Sequence, residues 1–113
     1  MVGLNQIEIK EMITKSGDEK TCKDILNKVR LMIKERKLYP THPQWLSLIS
    51  HISAMVTRNM NEDSIRDLNT ELFNEVSSVS IELAKVVCSL LPHLYEDETY
   101  LLAIHFETIK NNE

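Results

Sequence analysis

The chain is predicted to be all-α, a compact bundle of four to five antiparallel helices. Three observations point there. Apolar residues recur at steps of three and four along most of its length. Glycine and proline are scarce, 2 and 3 among 113 residues, which leaves little material for the tight turns of a β-sandwich. The 42% hydrophobic content suffices for one core at a length typical of one domain. The expected organisation is a single helical domain over residues 16–113, preceded by a segment 1–15 of uncertain structure.

In that first segment, Leu4, Ile7, Ile9, Met12 and Ile13 fit neither a helical nor a strand period cleanly. Ser16 and Glu19 stand at capping-box spacing, so a helix is expected to start there. Cys22, Ile25, Leu26, Val29, Met32 and Ile33 form its apolar stripe. It should end before Tyr39-Pro40, because proline disfavours helical geometry in the residue before it. A second helix is expected with Thr41 as N-cap and Pro43 in its first turn. Its stripe is Trp45, Leu48, Ile49, Ile52, Met55 and Val56, and Asn59-Met60-Asn61 breaks it.

Glu62 to Leu68 reads as a short helix, followed by a long one from about Thr70 to Pro92. Within the long one, Ser77-Ser78-Val79-Ser80 has weak helix propensity and marks a kink or a break. The last helix opens near Glu96-Asp97-Glu98, where acidic side chains complement the helix dipole. Tyr100 to Phe106 is nearly continuously apolar; with no partner strand elsewhere it reads as a mostly buried helix.

A net charge of −4 argues against a phosphate-backbone binder. The most basic stretch, Lys20 to Lys37, spreads its charges around a helix and mixes them with Asp24 and Glu35, so it reads as a solvated face. Cys22 and Cys88 lack ligand spacing and read as reduced core residues. No apolar run approaches the ~20 residues of a membrane span, and the N-terminus lacks the pattern of a signal peptide. A cytoplasmic protein without membrane insertion is expected.

Chemistry then rests on the histidines. His51 lies about 100° from the centre of its helix's apolar stripe, at the boundary of core and surface. Arg58, seven residues on, stacks two turns along the same face. His105 lies in an apolar run with Glu98 seven residues before it. Spacing alone leaves two readings open for each. His51 is a boundary histidine beside a surface arginine, or part of a site. His105 is a core histidine hydrogen-bonded to a carboxylate or a carbonyl, where a carboxylate partner would fix its tautomer and raise its pKa, or part of a site. His42 and His93 read as ordinary exposed histidines.

The stretch from Trp45 through His51 to Arg58 resembles the first histidine motif of the PRD family, the phosphotransferase-system regulation domain. The stretch Tyr95-Glu96-Asp97-Glu98 through His105-Phe106 resembles the second, in which an Asp-Glu pair opens a helix and a histidine follows seven residues after the Glu. The resemblance covers roughly residues 15 to 112, almost the whole chain. It implies a compact helical bundle, usually dimeric, of the kind found in bacterial antiterminators and activators of sugar-uptake genes. It further implies phosphorylation of histidines by the phosphocarrier protein HPr or by a sugar-specific phosphotransferase component. Carried over, the phosphoacceptor candidates are His51 and His105, supported by Arg58, Asp97 and Glu98.

The chemistry suits the role. A neutral imidazole nitrogen is a nucleophile near pH 7, and the product gains close to two negative charges. Near Arg58 that charge can form charge-assisted hydrogen bonds, and near Asp97 and Glu98 it would be repelled. One PRD fills the sequence, so the expected output is through a regulatory partner protein, with no direct nucleic-acid contact. The alternative is a dimerisation or docking module whose histidines are structural. Catalysis is not expected: Glu98 and His105 resemble an acid–base pair but no nucleophile accompanies them. His51, His93 and His105 lack metal-ligand spacing, and no cofactor motif is present.

Overall fold

The computed structural model of the chain describes residues 2–65, 71 and 74–112. Among them are five α-helices: α1 (Val2–Lys15), α2 (Glu19–Glu35), α3 (His42–Asn61), α4 (Ser78–Cys88) and α5 (Asp97–Lys110). The described residues contain no strand. The expected all-α bundle is what forms.

The stripes named above become the core. Ile25 and Val29 of α2, Leu48 and Ile52 of α3, Val87 of α4 and Phe106 of α5 are essentially sealed from solvent. Helix α5 packs along both α4 and α3, and α2 covers α3 and α4 from the other side. Residues 2–15, left open by their mixed periodicity, form α1. It joins the same bundle by packing on α3 and α2. Among its described side chains, only Ile13 reaches the core fully; Ile9 and Met12 pack partly against it. Polar bonds supply the rest: Ser53 Oγ donates to the Met12 carbonyl at 2.6 Å, and Thr57 Oγ1 to the Ser16 carbonyl at 2.9 Å. This is why a weakly amphipathic segment is helical here: tertiary anchors replace the missing stripe.

The helix ends refine several expectations. The N-cap of α2 is Asp18, not Ser16: Asp18 accepts from the Thr21 backbone N–H and from the Thr21 hydroxyl. Ser16 instead closes α1, donating to the Ile13 carbonyl at 2.6 Å. Gly17 between them sits at φ +85, the left-handed conformation that commonly ends a helix. A Cβ there would meet Met60 Sδ at 3.2 Å. Thr41 and Gln44 form the capping box of α3, each side chain bonding the other's backbone N–H.

Helix α3 runs through Asn59-Met60-Asn61 instead of breaking there. It ends at Glu62, left-handed at φ 51, and the Asp63 N–H folds back onto the Arg58 carbonyl at 2.9 Å. The expected helix over Glu62–Leu68 is absent from residues 62–65; its remaining part lies outside the described residues. The long helix expected from Thr70 begins only at Ser78. Ser77 is its N-cap, accepting from the Ser80 N–H, so of the kink or break expected at the serine cluster it is the break that forms, and the cluster starts the helix. That start is fastened to α5, because Glu107 accepts from the Ser77 and Ser80 hydroxyls, each at 2.7 Å. Helix α4 ends at Cys88, ahead of Pro92.

Candidate functional site

Helices α3 and α5 meet along an antiparallel seam built in steps of seven residues. Going forward on α3 are Gln44, His51 and Arg58; going back on α5 and its end are Asn112, His105 and Glu98. They pair rung by rung. Seven residues advance a helix about 10.5 Å in nearly two whole turns, so every seventh side chain returns to the same face. An antiparallel neighbour with the same spacing therefore stays in register.

The first rung is polar. Asn112 Nδ2 donates to Gln44 Oε1 at 2.6 Å and to the Tyr39 carbonyl at 2.8 Å, while Gln44 Nε2 donates back to Asn112 Oδ1 at 3.2 Å. The second rung is the histidine pair, with ring centroids 4.7 Å apart and planes tilted by 36°. The third is a bidentate ion pair. Arg58 Nε donates to Glu98 Oε2 at 2.8 Å and its Nη2 to Oε1 at 2.7 Å.

Glu98 is fully buried, so its charge must be compensated. Burial pushes its carboxyl up, but the Arg58 bonds, the Ile65 N–H and the Ser64 hydroxyl outweigh this and hold it below its ordinary 4.5. The Ile65 N–H donates at 3.0 Å and Ser64 Oγ at 3.2 Å. Those two donors arrive because the left-handed Glu62 turns the chain back over the start of α5. Ser64 Oγ in turn accepts from the Tyr95 N–H at 2.7 Å, tying this turn to the loop before α5.

Both site histidines are half-buried. Burial pushes the His51 imidazole down to about 4, helped by the neighbouring His105 and by the Arg58 charge, with Glu98 opposing. His105 is lowered as well, by burial. Both rings are therefore neutral at pH 7, each with one free nitrogen lone pair. This corrects the expectation that a carboxylate would raise the His105 pKa: the Glu98 carboxylate faces Arg58, not His105. His51 Nε2 is buried and has no hydrogen-bond partner among the described residues. The His105 ring lines an open depression of about 200 Å³ shared with Gln44, Ser47, Ile104 and Thr108.

The structure thus brings together four of the five expected site residues: His51, His105, Arg58 and Glu98. Asp97 is the first residue of α5, next to the cluster in sequence. His42 and His93 are exposed and lie outside it. Cys22 is buried in the core; Cys88 is half-buried and near the site, bonded to Thr99, its thiol pushed up by burial. Sequence reasoning missed Gln44, Asn112, Ser64 and Ile65. The first two were visible as further steps of seven from the two histidines; the backbone N–H of Ile65 carries no sequence signal. The described residues hold no group of three or more side chains placed for a metal ion, and no described helix is long and apolar enough to cross a membrane.

Among the described residues, five helices carry a histidine pair on an antiparallel seam, the arrangement expected of a PRD regulatory domain. The fold matches the crystal structure of a PRD-containing transcription regulator from Lactobacillus casei ATCC 334 at a TM-score of 0.86. The two are 30% identical over 93% of this chain and 94% of that one. This chain belongs to the PRD family. No family model matches it, and no curated protein does.

Proposed function

We propose that this chain is a cytoplasmic regulatory module that receives phosphoryl groups on the His51–His105 pair and reports sugar supply to gene expression. The observation carrying this reading is the pair itself: two neutral imidazoles 4.7 Å apart, on a seam locked by the Arg58–Glu98 ion pair. A structural histidine would be expected to have its nitrogens satisfied. Among the described residues His51 Nε2 is buried without a partner, at a cost of about 1–3 kcal/mol, which disfavours a purely structural role.

The donor on this reading is the phosphocarrier protein HPr or a sugar-specific phosphotransferase component. The added charge, close to two units, lands on the contact between α3 and α5. A charge there changes how the two helices present their outer faces, and a homodimer contact or a regulatory protein reads that change. A protein partner is favoured over nucleic acid because the positive side chains of α2 alternate with Glu19, Asp24 and Glu35. Lys20 is also paired with Asp24 at 3.0 Å. No catalytic role is proposed for the chain itself, since the donor supplies the activated phosphoryl group.

The test is incubation with the phosphocarrier, its kinase and phosphoenolpyruvate, followed by intact mass measurement at neutral pH. Wild type is expected to gain mass and a His51→Ala/His105→Ala variant not to. Equal gain in both would overturn the proposal, as would no gain in wild type.

A further inference from the structure

Along the sequence of α2, cations alternate with Glu19, Asp24 and Glu35. Around the helix they separate. Lys20, Lys23, Asn27, Arg30 and Lys34 follow one another at steps of three, four, three and four, so they share one line about 21 Å long. All of them are exposed. Lys37 follows three residues on, in the turn that ends the helix. Asp24 and Glu35 stand three turns apart, together to one side of the line. Among the described residues, Lys20 pairs with Asp24 at 3.0 Å, while Lys23, Arg30 and Lys34 make no ion pair. The Lys20 and Asp24 side chains are 87% and 63% exposed, so that pair is weak and readily exchanged.

Two neighbours shape this line. The Arg30 guanidinium lies over the Trp45 ring of α3, 5.8 Å from its centroid, which holds that cation in place. Leu31 stands beside Arg30 and is 59% exposed, an apolar side chain among cations. Among the described residues α2 packs on α1, α3 and α4 and not on α5, so the line lies away from the histidine seam. We propose that this flank of α2 is a docking surface for an acidic segment of a partner protein. Its carboxylates lie along Lys20, Lys23, Arg30 and Lys34, and one apolar side chain covers Leu31.

Charge complementarity selects the occupant. Neighbouring cations three and four residues apart on a helix repel one another. A row of carboxylates at the same spacing turns that repulsion into attraction. A protein segment fits better than a nucleic acid for two reasons. A longer polyanion would run onto an acidic surface, because residues 62–113 hold most of the chain's 17 Asp and Glu and few of its 13 Lys and Arg. A nucleic-acid binder typically makes about 6–10 phosphate contacts, more than this line offers. Leu31 also calls for an apolar contact, which a peptide side chain supplies and a phosphate backbone does not. One flank of one helix makes a small interface, so the contact is transient and steered by charge. Docking here does not depend on phosphoryl transfer to the seam.

Fluorescence anisotropy of a labelled probe titrated with the full chain tests this. The probe is a synthetic peptide with glutamates at steps of three and four and one leucine among them. Its controls are the same peptide with glutamine in place of glutamate, and a labelled single-stranded RNA of equal charge. The glutamate peptide is expected to bind and the glutamine peptide not to. Raising salt from about 0.05 M to about 0.5 M weakens binding about tenfold. Lys23→Glu/Lys34→Glu weakens it about tenfold as well. Lys10→Glu/Lys15→Glu makes the same change of charge on α1 and leaves it within about twofold. Asn27→Lys fills the neutral position of the line and tightens binding about threefold, which decides the matter should the double variant fail to fold. No binding of the glutamate peptide, equal loss in both double variants, or tighter binding of the RNA would overturn the proposal. So would sedimentation showing that the chain self-associates through the same line, since a second copy would then be its occupant. Phosphoryl acceptance is measured separately, and none of these outcomes alters it.

Discussion

Replacing Arg58 with Met removes the cation from the third rung and leaves the Glu98 carboxylate buried. Breaking a buried pair by removing one partner costs about 3–5 kcal/mol. Arg58 is 20% exposed, and Glu98 keeps its bonds from Ser64 and Ile65, so the low end applies. About 3 kcal/mol corresponds to a fall in Tm of about 12 °C for a domain of this size. The pH dependence is more diagnostic. In wild type the Glu98 carboxyl titrates below its ordinary 4.5. Its stabilising contribution is therefore present above that value and is lost as pH falls through the lower folded value. Without Arg58 the largest opposing influence is gone, and burial pushes the carboxyl above 4.5. Its contribution in the variant is then fullest at acid pH and is lost as pH rises. The gap in Tm between wild type and Arg58→Met should be wide at about pH 7 and narrow steadily toward about pH 4. Thermal unfolding followed by circular dichroism across that range measures it. A constant gap, or a cost below about 1 kcal/mol at neutral pH as for an exposed pair, would refute the reasoning.

Three further outcomes are expected. The His51 ring, lowered from 6.5 to about 4, favours the folded state above 6.5 and loses that contribution as pH falls toward 4. His51→Phe should therefore flatten the fall in stability over that interval, and an unaltered slope in urea titrations would count against it. Asp18→Ala removes the α2 cap and should cost about 1 kcal/mol in chemical denaturation; a neutral change would return that role to Ser16. Phe106→Ala empties a fully buried position on α5 and should cost about 3–5 kcal/mol, read from the denaturation midpoint; a loss under about 1 kcal/mol would mean that the core does not centre there.

The parts of this fold legible in sequence were those held by a stripe. Helices α2, α3 and α5 each carry apolar side chains at helical spacing, and each was placed within a few residues. Helix α1 was not assigned, because its order comes from Ser53 and Thr57 on another helix, contacts with no local period. The start of α4 was misplaced for the opposite reason. Leu72 and Val76 continue the stripe upstream, but Ser77 caps the backbone and Glu107 of α5 holds that cap in place. Asp18 displaced Ser16 as N-cap because the Ser16 hydroxyl was already spent on closing α1.

At the site, the histidines and their seven-residue partners were legible, but their pairing was not. Each motif was read along its own helix, so Glu98 was given to His105 and Arg58 to His51. The structure pairs them across helices, histidine with histidine and arginine with glutamate. Antiparallel register is a tertiary property, and it reverses the charge environment of His105. The rung of Gln44 and Asn112 shows that the same spacing continues beyond the motifs.

The central claim is that this seam accepts phosphate on nitrogen. Phosphorus NMR of the chain after reaction with the charged phosphocarrier tests it most directly. The account predicts a new protein-bound resonance of a nitrogen–phosphorus bond, lost on mild acidification because a protonated imidazole is a good leaving group, and absent from a His51→Gln/His105→Gln variant. No protein-bound resonance, or an acid-stable one that survives in that variant, would contradict it.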